Sequence, residues 1–254
     1  MENKKKKKTK IDIVLPNYNS HEFIVETIKS IINQTYFDWK LTIVDDNSNK
    51  KTKNILEKFS TNKKIKIYWL KKNKGAGFCR NYALKKTKSP YIAFIDSDDI
   101  WKKNKLKDQL LFMSNNKIKF SFTSYSIINK KNVIIKFVKA KSIIGYHDLI
   151  KSCDIGLSTV MIKKELLIKN RFSSIKTKED FILWLKLSKK NIKMMGIQEG
   201  LVFWRKLDNS LSSSVAQRVN DAFYVYNSFL KFSIVKSIYY TLVMSLYSIK
   251  KRFL

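Results

Sequence analysis

Two cysteines, two prolines, two histidines and six glycines are all that the 254 residues hold of these types. Cys79 and Cys153 lie far apart and without metal-ligand spacing, so neither a disulfide framework nor a zinc site is expected, and a reducing cytoplasm fits. His21 and His147 have no partner at ligand or triad spacing and read as surface residues. Long apolar runs are missing too. The start, Met1 to Lys10, is basic, but the apolar run after it ends at Pro16, too short for a secretory signal. Nowhere do apolar residues reach the ~18 needed to cross a bilayer. There is no internal repeat and no Pro/Ser-rich linker at which to cut the chain into independent domains. Acid is scarce: 20 Asp and Glu face 52 Lys and Arg, a net charge of +32. Arginine is scarcer still, only Arg80, Arg171, Arg205, Arg218 and Arg252, so almost every cation is a lysine.

What is present is a core. Hydrophobic residues make up 44% and aromatics 13%, which excludes a disordered chain, and the length suits one large α/β domain or a domain with an appendage. The charge favours anionic membranes, nucleic acid and phosphorylated ligands. The lysines are dispersed and no RNA- or DNA-binding motif appears, so no nucleic-acid partner is expected. A basic nucleic-acid-binding protein is the rival from a different class, and it predicts steeply salt-dependent binding.

Along the chain, Ile11 to Leu15 reads as a strand stopped by Pro16, with a turn at Pro16-Asn17-Tyr18-Asn19. Ser20 suits an N-cap, and Phe23, Ile24, Ile28, Ile31 and Ile32 follow at helical spacing. Leu41 to Val44 is a second strand, ended by Asp45-Asp46-Asn47-Ser48, with a helix at Thr52 to Phe59 and a strand at Ile65 to Leu70. Lys74-Gly75-Ala76-Gly77-Phe78 holds two of the six glycines and leads into a helix to Lys86. Tyr91 to Ile95 is a fourth, buried strand. This alternation predicts a mostly parallel sheet covered on both faces, with ligands beyond the carboxyl ends of its strands. The second half is less regular. Trp101 to Met113 suits a helix, Lys119 to Ile128 and Val133 to Val138 a hairpin, Tyr146 to Ser152 a short helix, and Glu179 to Lys189 an amphipathic helix.

The fourth strand ends in Asp96-Ser97-Asp98-Asp99. Three carboxylates in four residues repel one another unless a cation sits among them. Magnesium or manganese, which favour carboxylates plus substrate phosphates, is one reading. An acidic turn capping the next helix is the other. Asp45-Asp46 reads as a ligand site, with a simple Asx turn as the alternative. Thr177-Lys178-Glu179-Asp180 satisfies a capping-box pattern. Gly156 to Met161 reads as a buried strand, and Trp101, Trp184 and Trp204 as packing residues.

Seven pieces in order resemble the family 2 glycosyltransferases of the GT-A fold. They are Pro16-Asn17-Tyr18-Asn19; Gln34-Thr35; Val44-Asp45-Asp46-Asn47-Ser48; Asn73-Lys74-Gly75 with Cys79-Arg80-Asn81; Asp96-Ser97-Asp98-Asp99-Ile100-Trp101; Glu179-Asp180-Phe181 with Trp184-Leu185; and Trp204-Arg205 with Ser210-Leu211-Ser212. The chain looks most like bacterial members that build surface polysaccharides such as lipopolysaccharide, O antigen or capsule. The resemblance implies an α/β fold of GT-A type, a Rossmann-like, mostly parallel sheet with helices on both faces, plus a C-terminal helical extension. It divides the chain into a basic tail at 1–10, a glycosyltransferase domain at 11–215 and an extension at 216–254. Within the domain, 11–100 is the nucleotide-sugar half and 101–215 the acceptor half.

It further implies an inverting, metal-dependent transfer of sugar from a nucleoside diphosphate, uridine-linked by resemblance, to a lipid-linked saccharide. Transfer to polyprenyl phosphate is the alternative within the class. In the family's terms Asp96 faces the ribose or sugar, and Asp98, with Asp96, binds Mn2+ or Mg2+. Asp99 orients the loop or caps a helix at Trp101. Pro16 and Tyr18 flank the nucleobase, and Asp46 accepts from its imide N–H. Arg80 and Arg205 offer planar forks to the donor, and Asp180 is the catalytic base. Gly156 to Met161 resembles a segment lining the acceptor side.

The last stretch, Phe229 to Leu254, mixes apolar residues with Lys236, Lys250, Lys251 and Arg252. It reads as a helix lying in a membrane interface or docked on the protein body. Peripheral contact with an anionic membrane, on the cytoplasmic face of the inner membrane, is the expectation that a lipid-linked acceptor makes purposeful.

Overall fold

The computed structural model describes residues 10–207 and 214–253. Residues 1–9 of the basic tail and the piece Ser210-Leu211-Ser212 lie outside the described residues.

Strand β1 (Ile11–Asn17) is buried at every position, as a central strand covered on both faces must be. It pairs in parallel with β2 (Trp39–Asp45) on one side and β4 (Tyr91–Phe94) on the other. β2 pairs in parallel with β3 (Ile65–Trp69). The connections run through α1 (Ile24–Ile32), α2 (Lys50–Glu57) and α3 (Ala76–Lys86), so the expected βα alternation is present. β1 does not stop at Pro16. Its ladder with β4 ends at Val14 opposite Phe94, so the N–H that Pro16 lacks faces no acceptor, and the strand runs on to Asn17. Ser20 is not the N-cap of α1, a position that Phe23 takes: its carbonyl accepts from the amides of Phe23 and Ile24 (2.9 Å each) in the turn before the helix, and its hydroxyl turns back to Asn17.

The second half adds β5 (Ile100–Trp101), α4 (Lys105–Asn115), β6 (Phe120–Ile128), β7 (Ile134–Val138), β8 (Ile143–Ile144), α5 (Tyr146–Leu149), β9 (Met161–Lys163), α6 (Glu179–Ser188) and β10 (Met194–Arg205). Short β9 lies antiparallel between β4 and β6 and joins both halves into one sheet, ordered β3-β2-β1-β4-β9-β6-β10-β5. Long β6 and β10 are parallel to each other, and β7 closes the expected hairpin on β6. Trp101 starts no helix. Its backbone pairs with Val202, its amide donates to Ser30 Oγ (3.2 Å) and its indole N–H to the Ser158 carbonyl (2.9 Å). These tertiary bonds hold it extended, and α4 begins four residues later.

The sheet separates two cores. One, under α1 and α4, gathers Ile13, Leu15, Ile28, Trp101 and Leu106. The other, under α3 and α6, gathers Phe94, Phe120, Trp184, Leu185 and Tyr226. α6 is buried almost all round, from Phe181 through Leu187, as a helix apolar on every face must be. Trp184 meets Phe120 edge-to-face, with ring centroids 4.9 Å apart. That burial, worth roughly 1.5–3 kcal/mol per large side chain, fixes the helix whose first turn carries Asp180. The chain ends in α7 (Val215–Tyr224), a π turn (Val225–Phe229) and α8 (Ile234–Phe253). No helix among the described residues is long and apolar enough to cross a membrane.

Candidate active site

The carboxyl ends of β1, β2 and β4 lie side by side, and their loops are laced together. Asn17 Nδ2 donates to Asp45 Oδ2 (2.7 Å), and Asp45 Oδ1 accepts from the Ser48 amide (2.9 Å). Asp45 is therefore the Asx-turn member of its pair. Asp46 instead reaches out of its strand: its two oxygens accept from the amides of Lys74 and Gly75 (2.7 Å each). Gly75 has φ +84°, a conformation that side chains resist, and it brings the Gly-bearing loop back over Asp46. Pro16 is buried under these loops, while Tyr18 stands half-exposed at the end of β1, a flat ring open to solvent.

The acidic stretch is held from three directions. Ser158 Oγ accepts from the Asp96 amide (3.0 Å) and donates to Asp99 Oδ2. Asp99 Oδ1 accepts from the Arg205 amide (2.9 Å). Asp99 is fully buried and serves to fix the loop, one of its two expected roles; it caps no helix. Ser158 lies in the segment read as a buried strand; it forms a short 3₁₀ turn at Leu157–Thr159. Arg205 Nε donates to the Asp98 carbonyl (2.9 Å), Nη1 to Asn132 Oδ1 (2.7 Å) and Nη2 to Glu26 Oε2 (2.7 Å). Its guanidinium lies over the Phe23 ring, 4.5 Å from the centroid. The planar fork is in use, but its acceptors are protein groups that brace the Asp98 loop.

Arg80 is the hinge of the site. It is almost fully buried and donates through Nη2 to Asp96 Oδ1 (2.7 Å) and through Nη1 to Glu179. Burial works against its charge, but Asp96 and Glu179 on either side outweigh that and hold its pKa above the usual arginine value. The fork therefore ties the acidic stretch to the first turn of α6. Gly77, one turn earlier on α3, permits this approach: a Cβ there would fall 2.4 Å from the Ser173 carbonyl oxygen and 3.4 Å from Glu179 Cγ.

Asp180 follows directly. The expected capping box does not form. Lys178 is left-handed (φ +65°), and Thr177 gives its hydroxyl (2.5 Å) and amide (3.1 Å) to Asp221 Oδ2 of α7. The Asp180 carboxylate accepts only the local Phe181 amide (2.7 Å) among the described hydrogen bonds. Burial and the neighbouring Glu179 push its pKa up to about 7, against Arg80, which lowers it. A carboxylate poised there accepts a proton near neutral pH.

Burial, then the charge of Asp96, also push Asp98 up to about 7. Asp98 beside Asp96, whose side chain is a third exposed, is a pair of carboxylates that could hold a divalent cation. Among the described residues no group of three or more His, Cys, Asp or Glu converges as a metal cage. An ion held by Asp96 and Asp98 would take its remaining oxygen ligands from outside the protein, such as phosphate or water. Glu26 and Asp221 were not anticipated at the site, and Ser158, Glu179 and Thr177, named only within their segments, were not expected to make these contacts. All act across more than forty positions of sequence, where no local pattern signals them.

The fold and the sequence agree with known proteins. The chain is 34% identical over 244 residues to TuaG of Bacillus subtilis (strain 168), whose name assigns it to teichuronic acid biosynthesis; the match covers 95% of this chain and 97% of the relative. It is 36% identical over 243 residues to WfgD of Escherichia coli, a UDP-Glc:α-D-GlcNAc-diphosphoundecaprenol β-1,3-glucosyltransferase, covering 95% and 94%. Among solved structures, S. aureus TarS with UDP-GlcNAc superposes with a TM-score of 0.69 at 22% identity, covering 90% of this chain and 69% of that one. The mannosyltransferase PcManGT of Pyrobaculum calidifontis, in complex with GDP-Man and Mn2+, gives 0.65 at 14% identity, covering 93% and 70%. The sequence signature of glycosyl transferase family 2 matches residues 12–169. With a GT-A-like sheet, its acidic loop at a strand end and relatives more than 30% identical over almost its whole length, this chain belongs to glycosyl transferase family 2.

Proposed function

We propose that the protein is an inverting, divalent-metal-dependent glycosyltransferase. It moves a sugar from a uridine-diphosphate donor to a lipid-linked saccharide in the synthesis of a bacterial surface polysaccharide, working on the cytoplasmic face of the inner membrane. The observation that carries this reading is the chain Asp96–Arg80–Glu179–Asp180, in which one buried arginine joins a donor-side acid pair to a carboxylate poised to take a proton. The acceptor and donor chemistry are suggested by the relative WfgD, whose name carries both UDP-Glc and a diphosphoundecaprenol-linked GlcNAc.

In this proposal Tyr18 flanks the nucleobase, beside buried Pro16, and Asp46 receives the base's imide N–H once a donor displaces the loop amides it now holds. Asp98 and Asp96 hold Mn2+ or Mg2+, which supplies charge to offset that of the departing diphosphate. Asp180 takes the proton of the acceptor hydroxyl. That oxygen forms its bond to the anomeric carbon from the face opposite the diphosphate, the glycosyl–oxygen bond breaks, and the electron pair leaves with the nucleoside diphosphate. Asp99, Arg205 and Arg80 hold the others in register through their bonds to Ser158, the Asp98 carbonyl, Glu26, Asp96 and Glu179.

Thermal shift with UDP-sugars and manganese tests the reading, since a specific ligand raises the melting temperature. Asp98→Ala is expected to lose the metal-dependent part of the shift. Asp180→Asn is expected to keep the shift while transfer falls by about 10²-fold or more. Normal transfer by Asp180→Asn refutes the assignment of the base.

A further inference from the structure

Helix α8 carries its polarity the wrong way round for a water-facing helix. Ser237 and Thr241 are buried against the body with Met244, whereas Leu242 and Leu246 are 59% and 65% exposed. Val235, Ile238, Tyr239 and Ile249 are exposed too, and with those leucines they fall on one stripe at helical spacing. The hydroxyls that face inward or sideways are satisfied within the helix: Ser237, Thr241, Ser245 and Ser248 each donate to the carbonyl four residues back (2.8 Å). The outer stripe is thus a contiguous apolar surface of the kind that marks an interaction site.

We propose that this stripe of α8 is the face by which the protein lies on an anionic lipid bilayer, its helix axis in the plane of the headgroups. Charge selects the occupant. After Asp221 the chain contains no acidic residue, but it contains Lys231, Lys236, Lys250, Lys251 and Arg252. A second copy seated on the same stripe brings together two segments whose sequence holds cations and no carboxylate. An anionic leaflet attracts every one. The helix has the composition of an interfacial element: leucines and isoleucines to enter the acyl boundary, and Tyr239 and Tyr247 as rings that favour headgroup depth.

The docking face is rigidly connected to the reaction centre. α8 packs on α7 and on the π turn. There Tyr226 stacks on Phe232, lies 5.5 Å from the Tyr240 ring and donates to the Ile150 carbonyl (2.7 Å). α7 in turn supplies Asp221, which holds Thr177 three residues before Asp180. The bilayer contact therefore sets the position of the base relative to the lipid surface. This purpose rests on the lipid-linked acceptor proposed above; the docking itself does not.

Flotation of the full chain with phosphatidylcholine vesicles, with and without phosphatidylglycerol, tests the proposal. Wild type is expected to float with the phosphatidylglycerol vesicles at low salt and to be released at high salt. Leu242→Asp and Leu246→Asp are each expected to weaken that partition by about tenfold or more, and Leu242→Ser by less, with unchanged melting temperature. Variants that float like wild type overturn the proposal. So does a wild-type dimer by analytical ultracentrifugation that the same variants render monomeric, since the occupant is then a second copy. The donor-induced thermal shift is measured in parallel: its retention without vesicle binding refutes the docking alone, and its loss in the wild type refutes the glycosyltransferase reading instead.

Discussion

Replacing Arg80 by methionine keeps most of the stem's volume and deletes the charge that joins the two halves of the site. Two carboxylates lose their partner at once. Glu179 has a side chain only 10% exposed, whereas that of Asp96 is 33% exposed and can recover part of its hydration. Stranding one partner of a buried ion pair costs about 3–5 kcal/mol. Rehydration of Asp96 puts the expected loss in the lower part of that range, about 3–4 kcal/mol. For a chain of this size each kcal/mol lowers the melting temperature by about 2–4 °C, so Arg80→Met is expected to melt about 6–16 °C below wild type. Arg80→Lys keeps the charge but reaches one carboxylate, and forfeits about 1.5–3 kcal/mol, the worth of one hydrogen bond to a charged group. Differential scanning calorimetry of both variants, with Glu179→Gln and the Arg80→Met/Glu179→Gln pair, reads the coupling directly. A drop of less than about 2 °C for Arg80→Met, or strict additivity in the double mutant, refutes the claim that Arg80 is bound into a buried network.

With Asp180 as the proposed base and its pKa raised to about 7, only the ionised form takes a proton, so the transfer rate is expected to fall about tenfold per pH unit below 7. A rate that stays flat down to pH 5 contradicts it. Gly77→Ala gains roughly 1 kcal/mol of helix propensity, but its Cβ lands 2.4 Å from a backbone oxygen. Overpacking of about 1–3 kcal/mol is expected to win, so the variant melts lower; a rise in melting temperature shows that α3 can retreat from Ser173. Lys105 is fully buried, its ammonium 3.8 Å from the centre of the Trp101 ring and, among the described residues, without a hydrogen-bond partner. Burial holds its pKa well below the ordinary value. A depressed lysine costs stability that returns only as pH rises towards about 10, so Lys105→Met is expected to stabilise at pH 7 and to stabilise less near pH 10. Chemical denaturation at the two pH values checks the sign.

The sequence by itself determined the first four strands and the loops at their ends. Strands β1 to β4 are apolar runs punctuated by Pro, Gly and Asp, and buried parallel strands have no other way to be written. The acidic stretch, Asp46 and the Gly-bearing loop were therefore legible at strand ends before any coordinate was known. Asp180 was visible as a residue but not as part of a network. Only the tertiary structure decided which groups Arg80 and Arg205 meet, because their acceptors Glu179 and Glu26 lie 99 and 179 positions away in the sequence. Periodicity carries no information at that range. The same holds for Trp101, whose local pattern is helical but whose indole and amide are claimed by Ser158 and Ser30. It holds as well for Thr177, which leaves its own helix uncapped to bind Asp221. Local pattern sets where backbone turns and which face is apolar. Which charges meet is set by packing, since a buried ion must find its partner wherever the fold has put it.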